Sequence, residues 1–172
     1  VDSFVVHEGE TPLLKLVEHL RGDGDLSKVP NLVYRQDGEV KVNRPFAKEE
    51  LNALPTPDFD GLPLDLYLSP ERVLPVMGSR GCYWEKCAFC SIPFDHMTFH
   101  VRYAENVVND FKNLQEKYNC NNFFFTDEAL PINFLRTFAA KIIEQKVDVQ
   151  WTGELKFEKS LLKDDRMDLL YK

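Results

Sequence analysis

The chain has 172 residues and a mass of 20.0 kDa, with 44% hydrophobic and 28% charged residues, the balance of a globular protein rather than a disordered one. Its formal net charge of -7 and pI near 5.1 exclude a broad electrostatic grip on nucleic-acid phosphates, and no cluster of Lys and Arg offsets the acidic bulk. No apolar run approaches the roughly 20 residues that cross a bilayer, and no basic segment followed by an apolar run opens the chain. The expectation is a soluble, cytoplasmic protein that meets small molecules or peptides rather than nucleic acid or membrane.

In chain order, residues 4–6 read as a short strand, followed by a turn through Gly9 and a helix. Thr11 is the expected N-cap, Pro12 suits the first helical position, and Leu13, Leu16, Val17 and Leu20 share one face. NLVYR and EVKVN then flank Asp37-Gly38, a pair that supplies the positive φ angles of a tight hairpin turn. Pro55, Pro57, Pro63 and Pro70 rule out a helix or central strand across 51–70, so that stretch reads as a linker.

Beyond it the pattern becomes regular: a strand at 72–77, a cysteine-rich loop, a helix from about Glu105, a strand at 122–126, a second helix, and a strand at 149–152. Val107, Phe111, Leu114 and Tyr118 form one apolar stripe; Leu135, Phe138, Ile142 and Ile143 form another. Strands separated by helices of this length must run parallel, which predicts an α/β fold with right-handed crossovers. SLLKDDRMDLLYK opens a third helix, and three such units are too few to close a barrel of eight strands. A chain whose first methionine is Met77 and which stops inside a helical pattern is expected to be a fragment of something larger.

The chemistry concentrates in GCYWEKCAFC, which places Cys82, Cys87 and Cys90 in one loop. A secreted disulfide scaffold spreads its cysteines, so metal or redox chemistry fits this packing better. Thiolates are soft donors that favour zinc or iron and sulfur. A structural zinc site normally takes four protein ligands, and the remaining cysteine, Cys120, precedes the second strand, at the opposite end of the sheet. Strands of about five residues at roughly 3.3 Å each separate the two rims by about 16 Å, so Cys120 is expected to be a buried core thiol. Three thiolates on a cube of iron and sulfide leave one iron open to a ligand.

The loop resembles that of the radical S-adenosylmethionine (SAM) enzymes, in which three cysteines hold a four-iron four-sulfur cluster. Here the gaps are four residues and then two, where the family usually has three and then two. Phe89 stands immediately before the last cysteine, where the family places an aromatic against adenine. The resemblance implies a 4Fe-4S cluster on Cys82, Cys87 and Cys90 and SAM on its open iron. It also implies one-electron cleavage of SAM to methionine and a 5'-deoxyadenosyl radical, with an electron donor such as flavodoxin or ferredoxin. Thr126, Asp127 and Glu128, just past the second strand, match the place of a short SAM-binding motif, without its usual glycines. Glu154 and Lys156 follow the third strand, where similar proteins reach the ribose or methionine part. In such a sheet ligands gather at the C-terminal strand ends.

The resemblance makes residues 71–172 the N-terminal half of a radical SAM core, a partial (βα) barrel of parallel strands, preceded by a small α/β segment with a β-hairpin. The order strand, HEGE, helix, hairpin and Pro-rich stretch looks like the end of a cobalamin-binding domain over 1–50, joined by the linker 51–70. The cobalt-ligating Asp-x-His-x-x-Gly loop is absent here, so cobalamin is implied for the parent protein only.

Plainer readings stand beside these. The cysteines could hold structural zinc with His96 as fourth ligand. Asp127 and Glu128 could simply favour the positive end of the next helix. Glu154 and Lys156 could be a solvated ion pair. Arg80 and Arg102 could neutralise the cluster or pair with carboxylates of the sheet. His7 lacks the second histidine of a zinc-protease helix and reads as a turn residue.

Overall fold

The computed structural model describes residues 2–92, 98–162 and 166–171. They divide into two units, Val1–Glu50 with Ser91–Thr98 and Leu51–Cys90 with Phe99–Lys172.

In the first unit, strands β1 (Ser3–Val5), β2 (Leu32–Gln36) and β3 (Glu39–Val42) form an antiparallel sheet in that order, with helix α1 (Glu10–Leu20) inserted between β1 and β2. Asp37 and Gly38 join β2 to β3 with φ of 52° and 82°, the two positive angles that a right-twisted two-residue hairpin demands. Val29, Leu32 and Tyr34 make a small core with Val5, Leu16 and Leu26 packed on it.

Two expectations for α1 are corrected. The N-cap is Gly9, not Thr11. Thr11 sits one residue inside the helix, where its N–H and its hydroxyl each donate to the Glu49 carboxylate at 2.7 Å, which satisfies an orphan donor of the first turn from another segment. Pro12 and Leu16 turn inward, whereas Leu13 and Leu20 are exposed.

The second unit begins with the proline-rich stretch, whose only regular element is a 3-10 turn at Leu64–Leu66. Strands β4 (Val73–Val76), β7 (Asn122–Phe125) and β8 (Gln150–Thr152) form a parallel sheet in that order. Between β4 and β7 come β5 (Ser79–Arg80), β6 (His100–Val101) and helix α2 (Ala104–Tyr118). Helix α3 (Ile132–Glu144) joins β7 to β8, and α4 (Arg166–Tyr171) follows a 3-10 turn at Lys159–Leu162. The fold is thus α/β, with a parallel sheet in one unit and an antiparallel hairpin sheet in the other. Pro75 is tolerated because, among the described residues, β4 is paired on one side only, with β7.

The core lies between the sheet and helices α2 and α3. Phe111 stacks on Phe123 with ring centroids 4.3 Å apart and meets Phe138 edge-on at 5.1 Å, while Trp151 closes the group over Phe125 and Phe138. The predicted stripe of α2 is buried throughout. In α3 the predicted Leu135, Phe138 and Ile142 are buried, joined by Phe134 and Ala139, whereas Ile143 is exposed. The proline-rich stretch is fastened along α2, where the Thr56 hydroxyl donates to Asp110, the Phe59 N–H donates to the Tyr118 hydroxyl, and Lys117 pairs with Asp58 and Asp60.

Candidate functional site

Three chain segments leave the C-terminal edge of the parallel sheet: residues 77–90 after β4, 126–131 after β7 and 153–158 after β8. The first carries the cysteines. After β4 the chain turns at Met77-Gly78 and enters β5, which pairs antiparallel with β6 through Ser79–Val101 and Arg80–His100. This two-residue ladder closes the neck of the excursion that holds Cys82, Cys87 and Cys90. A ladder so short leaves no periodic trace in the sequence, and the sequence reading missed it.

The neck is held from both sides by buried charges. Asp127, 3% exposed, accepts the Gly78 N–H at 2.9 Å on Oδ2 and the Ser79 hydroxyl at 2.6 Å on Oδ1. Burial raises the Asp127 carboxyl above the ordinary carboxylate range, opposed by the bonds from Gly78 and Ser79. From the other side the Arg102 N–H donates to the Gly78 carbonyl at 2.8 Å and its guanidinium reaches the Met77 carbonyl at 3.3 Å. The same guanidinium pairs with Asp110 at 2.5 Å, both side chains being about 95% buried, so Arg102 does pair with a carboxylate, but one carried by helix α2 rather than by the sheet. Gly78 itself leaves no room for a side chain, since a Cβ there would lie 2.7 Å from the Phe134 ring.

Beyond the neck, Tyr83 and Trp84 are tied to the segment after β8. The Tyr83 hydroxyl donates to Glu158 at 2.9 Å, and burial with this bond pushes its pKa up to about 12. Trp84 lies under the Lys156 ammonium, 3.3 Å from the ring centroid, with Lys86 at 5.3 Å. Lys156 therefore serves Trp84 and pairs with Glu158 at 3.6 Å; the expected pair with Glu154 is replaced. Glu85 turns the loop with φ of 49°, and the Cys90 N–H donates to the Cys87 carbonyl at 3.2 Å, closing a tight turn over the last two cysteines.

The four thiols are free: Cys87 is exposed, Cys82 and Cys90 are half-buried, and Cys120 is buried. Cys120 donates to the carbonyls of Arg72 and Asn122 at the N-terminal end of β7, so it lies in the core away from the trio, as expected. Among the described residues, no three His, Cys, Asp or Glu side chains are gathered around one point as a single bound ion would gather them. The donor set of the loop nevertheless suits an iron–sulfur group: three free thiols on one loop, at the strand ends where ligands sit. His96, the fourth ligand of the zinc alternative, lies outside the described residues.

The other predicted residues fall on the same edge with different surroundings. Phe89 is 92% exposed. Thr126 extends the sheet by donating its N–H to the Val76 carbonyl at 2.9 Å. Asp127 points inward, whereas Glu128 is half-buried and Glu154 exposed. The segments after β7 and β8 are joined where the Leu130 N–H donates to the Glu154 carbonyl at 2.9 Å. Gly153, which the sequence reading passed over, makes that approach possible: a Cβ there would lie 2.6 Å from Leu130 and 3.0 Å from Phe125. No helix among the described residues is long and apolar enough to cross a membrane.

No protein-family model matches the chain. An uncharacterized methyltransferase of Pyrococcus horikoshii, PH0819, is 29% identical over 163 residues, covering 89% of this chain and 34% of its own length. In structure the chain is similar to the cobalamin-dependent S-adenosylmethionine radical enzyme OxsB, with a TM-score of 0.70 at 20% identity over 97% of this chain and 25% of OxsB. It is also similar to the radical S-adenosylmethionine methyltransferase TsrM from Kitasatospora setae, with a TM-score of 0.63 at 16% identity over 86% of this chain and 30% of TsrM. The solved TsrM structures include one with cobalamin and a [4Fe-4S] cluster bound. The chain thus shares its fold with cobalamin-dependent radical SAM proteins at low identity, and it spans about a third of the length of its curated relative.

Proposed function

We propose that the chain is part of a radical SAM enzyme in which Cys82, Cys87 and Cys90 hold a 4Fe-4S cluster, and that the parallel sheet is the first half of the partial barrel of such a core. The observation that carries the reading is a loop of three free thiols leaving the C-terminal edge of a parallel sheet, supported by a fold shared with OxsB and TsrM. The methyltransferase relative and TsrM favour methyl transfer as the reaction of the whole protein. Likeness to OxsB supports cobalamin in the whole protein, with residues 1–50 as the end of the domain that binds it and 51–70 as the connection.

The chemistry such a cluster supplies when bound is one-electron cleavage of SAM, with the electron delivered by a flavodoxin- or ferredoxin-type partner. The chain's own residues hold, orient and shield. Phe89 offers an uncovered aromatic face to the adenine, and Glu128 and Glu154 offer carboxylates to the amino and ribose groups of SAM beside the exposed Thr126. Tyr83 and Trp84, anchored at Glu158 and Lys156, keep water from one side of the loop. The zinc alternative draws no support from the relatives.

Anaerobic reconstitution tests the reading. About four irons and four sulfides per chain are expected, with a change in the reduced protein's electron paramagnetic resonance spectrum on adding SAM. Replacing Cys82, Cys87 or Cys90 by Ala should abolish iron uptake, whereas Cys120→Ala should leave it unchanged. Colourless protein with one tightly held zinc would overturn it.

A further inference from the structure

Asp127 sits within the segment where a SAM-binding residue was expected, yet its carboxylate is spent elsewhere. Both oxygens are engaged by Gly78 and Ser79, and the side chain is almost fully buried. A buried carboxylate is costly unless its bonds return the desolvation energy, so one placed here must be fixing something. What it fixes is one peptide step, Gly78–Ser79, whose carbonyl is taken by the Arg102 N–H and whose next residues enter the β5–β6 ladder. The step is thus bound at its N–H, its carbonyl and its hydroxyl, and Phe134 fills the space where a side chain would stand. Three residues later comes Cys82.

We propose that Asp127 is a positioning residue for the cysteine loop: it locks the Gly78–Ser79 step so that Cys82 leaves the sheet in one direction, with Arg102 as the opposing clamp. The inference builds on the reading of the cysteines as cluster ligands, but the lock is a property of the protein before any cluster is bound. A carboxylate that instead touched SAM would need its charge. A lock needs acceptors and shape: in Asp127→Asn, the amide oxygen can still accept from Gly78 and the amide nitrogen can donate to the Ser79 oxygen.

The test compares wild type, D127A, D127N and the milder S79A without metal, by hydrogen exchange of the peptide covering residues 77–90, beside the urea midpoint read from tryptophan fluorescence. D127A is expected to lose roughly tenfold or more of the amide protection at residues 78–82, S79A less, and D127N no more than about twofold. Each variant is then reconstituted, with iron content and the SAM-induced spectral change as further readouts; D127A is expected to lose the SAM response and D127N to keep it. Unchanged exchange in both D127A and S79A would overturn the proposal. So would D127N losing the SAM response as fully as D127A, which would make Asp127 a ligand. If wild type takes up no iron while D127A still loosens the neck, the lock stands and the cluster reading falls.

Discussion

Removing Asp110 should destabilise the second unit more than any surface change, because it strands a buried cation. The Arg102 and Asp110 side chains are 4% and 5% exposed and 2.5 Å apart, and Arg102 Nε already lacks an acceptor among the described residues. In D110A the guanidinium keeps, among the described residues, only the long contact to the Met77 carbonyl, and Thr56 loses its acceptor as well. Breaking a buried pair from one side costs about 3–5 kcal/mol, whereas replacing both partners by apolar residues of similar size is often neutral. With a urea slope of about 2 kcal/mol/M, D110A should lower the midpoint by about 2 M, and the double variant R102M/D110L should return to within about 0.5 M of wild type. Both tryptophans, Trp84 and Trp151, lie in the second unit, so fluorescence reports its unfolding alone. A shift below about 0.5 M for D110A, or a double variant no more stable than the single, would refute the reasoning.

The hold of the proline-rich stretch on α2 is pH-dependent. Asp58 is lowered to about 2 by the Asp60 N–H first, then by Lys117 and Tyr118. Its stabilisation is therefore complete above the ordinary value of 3.8 and is lost as pH falls through about 2. Carboxyl NMR should find that midpoint, and K117M should move it only part of the way up, because the Asp60 bond remains; an unmoved or fully normal midpoint would contradict this ordering of causes. Gly153→Ala should cost about 1–3 kcal/mol by overpacking against Leu130 and Phe125, read as an earlier urea midpoint, and a neutral result would mean that the two segments can part without penalty.

What the sequence disclosed depended on whether the cause was local. The Asp37-Gly38 turn and the stripe of α2 were legible because each is dictated by residues within a few positions of one another. The burial of Cys120 followed from strand direction alone. The inward turn of Asp127 and the need for Gly153 were not legible, because each depends on a partner from another segment of the fold; for Arg102 a carboxylate partner was legible, but not that Asp110 of α2 supplies it. The same holds for α1, where Glu49, 38 residues from Thr11, displaced the expected cap. For Lys156 the nearby carboxylate suggested a partner, and a ring from the cysteine loop competed successfully for the cation.

The loop itself is divided. Its first part, Tyr83 and Trp84, is anchored to the segment after β8, whereas Cys87 and Phe89 face outward. Phe89 at 92% exposure can contribute little to folding, so F89A should leave the urea midpoint within the small range of surface substitutions, about 0.5 kcal/mol. If Phe89 meets the adenine, the same variant should lose what an aromatic gains by stacking on a base, about 1–3 kcal/mol, or roughly a 5- to 150-fold weaker SAM affinity. Calorimetric titration of SAM into reconstituted protein measures the second quantity and denaturation the first. A folding phenotype without a binding one would show that the ring is covered by the rest of the fold in solution. Equal SAM affinity in wild type and F89A would remove Phe89 from the site.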